Sequence, residues 1–224
     1  MINNEEIFNE VRDNISLMCY DDCVGADLAA AMGLAITHKM KSVCVAPNQV
    51  ADVWPWLEKT KIKIISRFYI DGAVNDGFIS DLSGKISASF RDGANGAMIF
   101  LRKRDLQKFV SGISNIRNDL FFNKSLNIAI DISEIDVFAW DELFRILQAV
   151  SADSLVLTFN NDTGDKSDFV GRVFAMLNTP RGDWGGRVNF VLGQNAVRID
   201  QTCRLIQRLL PETISKTEFF IDNV

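Results

Sequence analysis

Short continuous apolar runs recur eight times along this 224-residue chain, and seven of them lead into residues with helical periodicity. The runs are ISLMCY (15–20), SVCVA (42–46), KIKIISRFYI (61–70) and AMIFL (97–101). LNIAIDI (126–132), SLVLTF (154–159), RVNFVL (187–192) and TEFFI (217–221) complete the series. Continuous runs, unlike alternating ones, suit parallel strands buried on both faces. Helical spacing follows at Leu28, Met32, Ala35, Ile36 and Met40, and again at Val50, Val53, Trp54 and Leu57. Pro55 falls within that second pattern, which predicts a first turn or a kink there. A weaker pattern covers 76–90. Leu106, Phe109, Val110, Ile113 and Ile116 form a clear amphipathic stripe. Trp140, Phe144 and Leu147 mark the next helix. Phe169, Val173 and Leu177 mark another, and Ile199, Cys203, Ile206 and Leu210 the last. Strand–helix units of this number and total length predict an α/β fold, the (β/α)8 TIM barrel. An open doubly wound sheet is the alternative. Nothing resembling a linker divides the chain, so residues 1–224 are expected to form a single domain.

Composition narrows the function. The chain carries 24 basic and 29 acidic residues, a net charge of −5, which argues against a nucleic-acid partner. Its longest apolar-looking stretch, 26–36, is far short of the ~20 residues a membrane span needs. The acidic, polar opening MINNEEIFNEVRDN lacks a signal pattern, so a cytoplasmic location and no membrane partner are expected. Cys19, Cys23, Cys44 and Cys203 form no CxxC pair, and His38 is the sole imidazole. Buried reduced thiols are therefore expected, with no metal site and no cofactor. A lone His within a helical pattern also argues against a Ser-His-Asp triad.

In such a barrel, function gathers on the loops after the C-terminal ends of the strands. Those positions hold Tyr20, Asp21 and Asp22, then Cys44 and Asn48, then Arg67. Arg102 and Lys103 follow, then Asp131 and Glu134, then Asn160, Asn161 and Asp162. Gln194, Asn195 and Arg198 come next, and Asp222 and Asn223 end the series. Trp54 and Trp56, two apart on one helix, cannot both face the barrel, and an exposed one suggests a homo-oligomer contact. Trp184 is expected at the opposite, non-functional end.

Six segments, in order and at matching distances, resemble the deoxyribose-phosphate aldolases, class I aldolases built on a TIM barrel. They are SVCVAP (42–47), KIKIISRFYIDGA (61–73), RDGANGAMIF (91–100), LNIAIDISEI (126–135), VSADSLVLTF (150–159) and RVNFVLGQNAVR (187–198). The resemblance implies a Schiff-base Lys where this chain has Val156, and a second Lys at Val191 or Leu192. It implies an acid–base Asp at Met98 and a phosphate-cradling Gly pair at Asn195 and Ala196. Cys44 keeps the family's Cys. An apolar residue neither forms an imine nor carries a proton, so the family's mechanism has no groups to run on at these positions.

Three readings follow from the resemblance. The first is a divergent relative without Schiff-base activity, binding a small, sugar-phosphate-like ligand or a protein partner. Cys44, Arg67, Arg102, Asn160, Asn195 and Arg198 are its candidate ligand-binding residues. The second is an enzyme with relocated chemistry. Lys103 would be its amine beside Arg102, and Asp131 and Glu134 its acid and base. A variant of it holds Mg²⁺ on Asp21, Asp22, Asp131 and Asp162. Against it stands a plain helix start at RKRDL, with Asp105 as the cap. The third is an aldolase acting by another route, with Arg67 and Arg198 on the phosphate.

Overall fold

Each apolar run pairs with its neighbours in the same direction, because the helix between two runs returns the chain to the same edge. The computed structural model describes residues 11–114, 116–159, 166–193 and 195–222. Its strands are β1 (Ile15–Met18), β2 (Ser42–Val45), β3 (Lys63–Tyr69), β4 (Gly96–Phe100), β5 (Ser125–Asp131), β6 (Ser154–Thr158), β7 (Arg187–Val191) and β8 (Phe219–Asp222). They form one closed parallel barrel in chain order, with β8 pairing back onto β1 through Ile15 to Met18 against Phe219 to Asp222. The fold is the (β/α)8 TIM barrel, and the open-sheet alternative falls away.

The helices are α1 (Ala26–Thr37), α2 (Val50–Leu57), α3 (Asp76–Arg91) and α4 (Lys103–Ile113), a short α5 (Arg117–Leu120), α6 (Trp140–Ala149), α7 (Lys166–Asn178) and α8 (Ala196–Leu209). Each long helix turns its apolar stripe onto the outward face of the strands. On α4 that stripe is Leu106, Phe109, Val110 and Ile113, all buried. Burying one such side chain contributes roughly 1.5–3 kcal/mol. Pro55 sits in the last turn of α2, so of the two expected placements, a first turn or a kink, the first turn is excluded. Trp54 and Trp56 on the same helix are both exposed, at 40% and 51%. Trp54 lies across Gly93, whose φ of +116° and lack of a side chain both matter: a Cβ there would stand 2.6 Å from the indole. Trp184 is buried near the N-terminal ends of β6 and β7, stacked on Phe144 at 5.4 Å and donating to the Ala152 carbonyl at 2.9 Å. No described helix is long and apolar enough to cross a membrane.

Strand periodicity sorts the barrel interior into layers. The floor is polar. Ser16 and Ser42 both donate to the Glu218 carboxylate, and Ser154 donates to Asn127 at 2.7 Å. Two residues further along each strand lies an apolar plug of Met18, Cys44, Ile65, Met98, Ala129, Val156 and Phe220. Above the plug, the strand ends open into a mouth.

Candidate functional site at the barrel mouth

The mouth encloses a cavity of about 440 Å³. Its walls are supplied by the last residues of β1 and β3 to β8 and by the loops beyond them, which is where this fold places its sites. Tyr20, Tyr69, Phe100 and Phe159 provide aromatic surface. Asp131, Asp222, Thr158 and Arg198 provide polar groups, and Met18, Val191 and Leu192 close the base.

The β1 loop is held from beneath. Gln49 donates to the carbonyls of Tyr20 and Cys23 at 3.2 and 2.9 Å and accepts from the Ala46 N–H at 2.8 Å. Tyr20 then reaches across the β1–β8 seam and donates its hydroxyl to Asp222 at 2.7 Å. Burial, then that hydrogen bond, push the phenol's pKa upward, so it stays protonated. Gly193, with φ of +58°, lets the chain pass under Asp222. A Cβ there would come 2.8 Å from Asp222 Oδ2.

Arg67 lies at the rim of the plug with only 1% of its side chain exposed. It donates to the Cys19 carbonyl at 2.7 Å and to the sulfur of Met18 at 3.3 Å, and forms an ion pair with the largely exposed Asp21. Its guanidinium is seated between Tyr20 and Tyr69, 5.3 and 5.5 Å from the ring centroids. Arg67 itself borders a second, smaller cavity of about 280 Å³ against α3, on the far side of Tyr69.

The candidate residues separate by position. Asp131 lines the mouth and accepts from the Ser133 N–H at 2.8 Å. Arg198 lines it too, its guanidinium laid over Phe159 at 4.0 Å. Asn195 caps α8, accepting from the Arg198 N–H at 3.1 Å. Glu134 accepts from the Lys103 N–H at 2.7 Å, so this carboxylate satisfies the start of α4, in place of the expected Asp105. Lys103 and Arg102 stand at that helix start, outside the cavity lining, and Arg102 is exposed. Cys44 is buried in the plug, and burial pushes its thiol up to about 12. Asn160 and Asp162 lie outside the described residues, as do Asn161, Gln194 and Asn223. Among the described residues no three His, Cys, Asp or Glu side chains are grouped to hold a metal ion.

Met98 and Val156 face into the barrel and are fully buried. Val191 packs against the same plug, whereas Leu192 belongs to the core between barrel and helices. Sequence reading missed Tyr69, Phe100, Thr158 and Phe159 as cavity walls. Period-two alternation could have found Tyr69, since it shares a face with Arg67.

No family model matches the sequence, and no curated protein matches it. Solved structures do. A deoxyribose phosphate aldolase from Aeropyrum pernix, described as tetrameric, superposes with a TM-score of 0.64 at 12% identity, covering 98% of this chain and 94% of its own. This chain has the fold of those aldolases. A Toxoplasma gondii ME49 protein provisionally assigned as a deoxyribose-phosphate aldolase gives a TM-score of 0.72 at 13% identity, over 96% of this chain and 90% of that one. The aldolase QR15 gives 0.70 at 13% identity, over 94% and 90%. At such identities the likeness is one of fold, and function has to be argued from the site.

Proposed function

We propose that this chain is a divergent relative of the deoxyribose-phosphate aldolases that binds a small molecule at the barrel mouth without Schiff-base chemistry. One observation carries the reading. The interior below the mouth is closed by an apolar plug containing Met98 and Val156, and among the described residues no lysine lines the cavity above it. An imine needs an amine within reach of the ligand carbonyl, and aldol chemistry needs a proton carrier beside it. The position matching the family's amine holds an isopropyl group, and the position matching its acid–base carboxylate holds a thioether. Lys103, the candidate for relocated chemistry, begins α4 with its backbone N–H bound to Glu134, away from the cavity.

What supports binding is the wall above the plug. It offers aromatic faces and a few convergent polar groups, the usual makeup of a small-molecule site. The test is retro-aldol turnover of 2-deoxyribose-5-phosphate, with acetaldehyde detection, beside borohydride trapping and intact mass. The expected result is neither acetaldehyde nor adduct. A trapped adduct would overturn the reading, and mapping the modified Lys would show where the chemistry lies.

A further inference from the structure

The run WPWLEKTKIK (54–63) crosses from α2 into β3 and carries two exposed indoles and three lysines. Each helix here runs against its strands, so the C-terminal ends of α1 and α2 lie beside the strand starts, at the end of the barrel opposite the mouth. Backbone bonds fix this placement. The Lys41 N–H donates to the Ile15 carbonyl at 2.9 Å, and the Lys63 N–H to the Lys41 carbonyl at 3.1 Å. The end of α1, with Ile36 and Lys39, is thereby set next to Lys59, Lys61 and Lys63, which follow α2. With Val50, Val53 and Leu57 turned inward, Trp54 and Trp56 project from opposite flanks of α2. Trp54 lies across Gly93 in the turn before β4, which puts Trp56 on the α1 side, where Ile36 is exposed. From this patch we propose that the protein docks onto an anionic lipid surface.

Lys39, Lys59, Lys61 and Lys63 are exposed, and their ammonium groups make no hydrogen bond or ion pair among the described residues. The exposed carboxylates of the same loops, Glu58 and Asp92, do not pair with them. Lysines held near an anionic bilayer are attracted to it within a Debye length. An indole has an apolar body and a polar N–H, and so settles at the level of the lipid headgroups. The patch joins both features on one face. The expectation of no membrane partner rested on the lack of a span, and surface docking needs none. A second copy of the chain fits less well, because a twofold contact here would set unpaired lysines against lysines. A single-stranded nucleic acid needs open ring faces to stack on. Trp54 already lies on Gly93, and the neighbouring apolar side chain, Ile36, is aliphatic.

The test is cosedimentation of the whole chain with vesicles of pure phosphatidylcholine, or of equal parts phosphatidylcholine and phosphatidylserine, at low and high salt. The expected result is binding to the phosphatidylserine vesicles alone, released by salt. Trp140 and Trp184 are buried, so a blue shift of the emission on binding reports Trp54 and Trp56. Lys59→Glu with Lys61→Glu should weaken binding by about tenfold or more. Lys85→Glu with Lys108→Glu makes the same change of charge at exposed positions on α3 and α4, and should leave binding near that of the unaltered chain. Trp56→Ser should weaken it several-fold and reduce the blue shift. Circular dichroism confirms that the variants fold. Equal weakening by both lysine pairs would overturn the assignment to this face, and so would no binding to either vesicle. Retention of a thymidine oligonucleotide without vesicle binding would make the partner a nucleic acid and overturn the proposal. Self-association lost in Trp56→Ser, again without vesicle binding, would make it a second copy and overturn the proposal too. The reading of the mouth stands apart from each of these outcomes, since it lies at the other end of the barrel.

Discussion

Tyr20 and Asp222 stand 202 residues apart in sequence and are joined by a 2.7 Å hydrogen bond over the seam where β8 closes onto β1. The bond ties the first strand's loop to the last strand's end and fixes one wall of the mouth. Tyr20→Phe removes the donor and keeps the ring. Because the site is partly exposed, water replaces much of the bond, and the expected loss is about 0.5–1.5 kcal/mol in urea denaturation. A loss near zero would mean the seam is held by the strand ladder alone.

The apolar plug should be intolerant of both space and charge. Met98→Ala leaves a cavity in a fully buried layer, and the expected cost is about 2–5 kcal/mol. Val156→Lys places an ammonium among Met98, Ala129 and other apolar groups, and should cost about 3 kcal/mol or more or prevent folding. A Val156→Lys protein with an unchanged denaturation midpoint would show that the plug admits water, and that an amine there reaches the mouth.

Glu134 acts on the start of α4. Glu134→Ala leaves the Lys103 N–H without its carboxylate partner and should cost about 1 kcal/mol, the usual price of a lost helix-terminal acceptor. Ligand affinity at the mouth should stay unchanged. A loss of binding with unchanged stability would instead place Glu134 at the ligand.

Cys19 and Cys44 are buried thiols, each raised from 9.0 to about 12, by burial foremost. Thiolates are the reactive species, so iodoacetamide at neutral pH should leave both unlabelled until urea unfolds the chain. Mass spectrometry of labelled peptides reads this directly. The sign of the pH effect follows. Above about pH 9 the unfolded chain releases these protons while the folded chain keeps them, so stability falls as pH rises from about 9 toward 12. A flat stability profile across that window would contradict the burial of these thiols.

Much of the architecture was legible in the residue order. Each of the eight strands overlaps its apolar run, since a strand buried on both faces must be apolar throughout. The amphipathic stripe of α4 was readable for a similar reason, as helical spacing puts Leu106, Phe109 and Val110 on one face. The position of Pro55 was not, because propensity disfavours it late in a helix while packing of Val53 and Leu57 holds the helix together around it.

The sequence by itself determined the series of parallel strand–helix units and the apolar character of Val156 and Met98, because both follow from residue type and period. Closure of the sheet into a barrel was settled by the pairing of β8 with β1. Only the tertiary structure decided which charged groups meet. Closing the barrel brought Asp222 to Tyr20, placed Glu134 on the N–H of Lys103 thirty-one residues away, and seated Arg67 between two tyrosines. The hydrophobic pattern specifies which face of a strand turns inward, but long polar side chains choose partners by reach and angle. Those are properties of the assembled mouth, with no counterpart in sequence spacing.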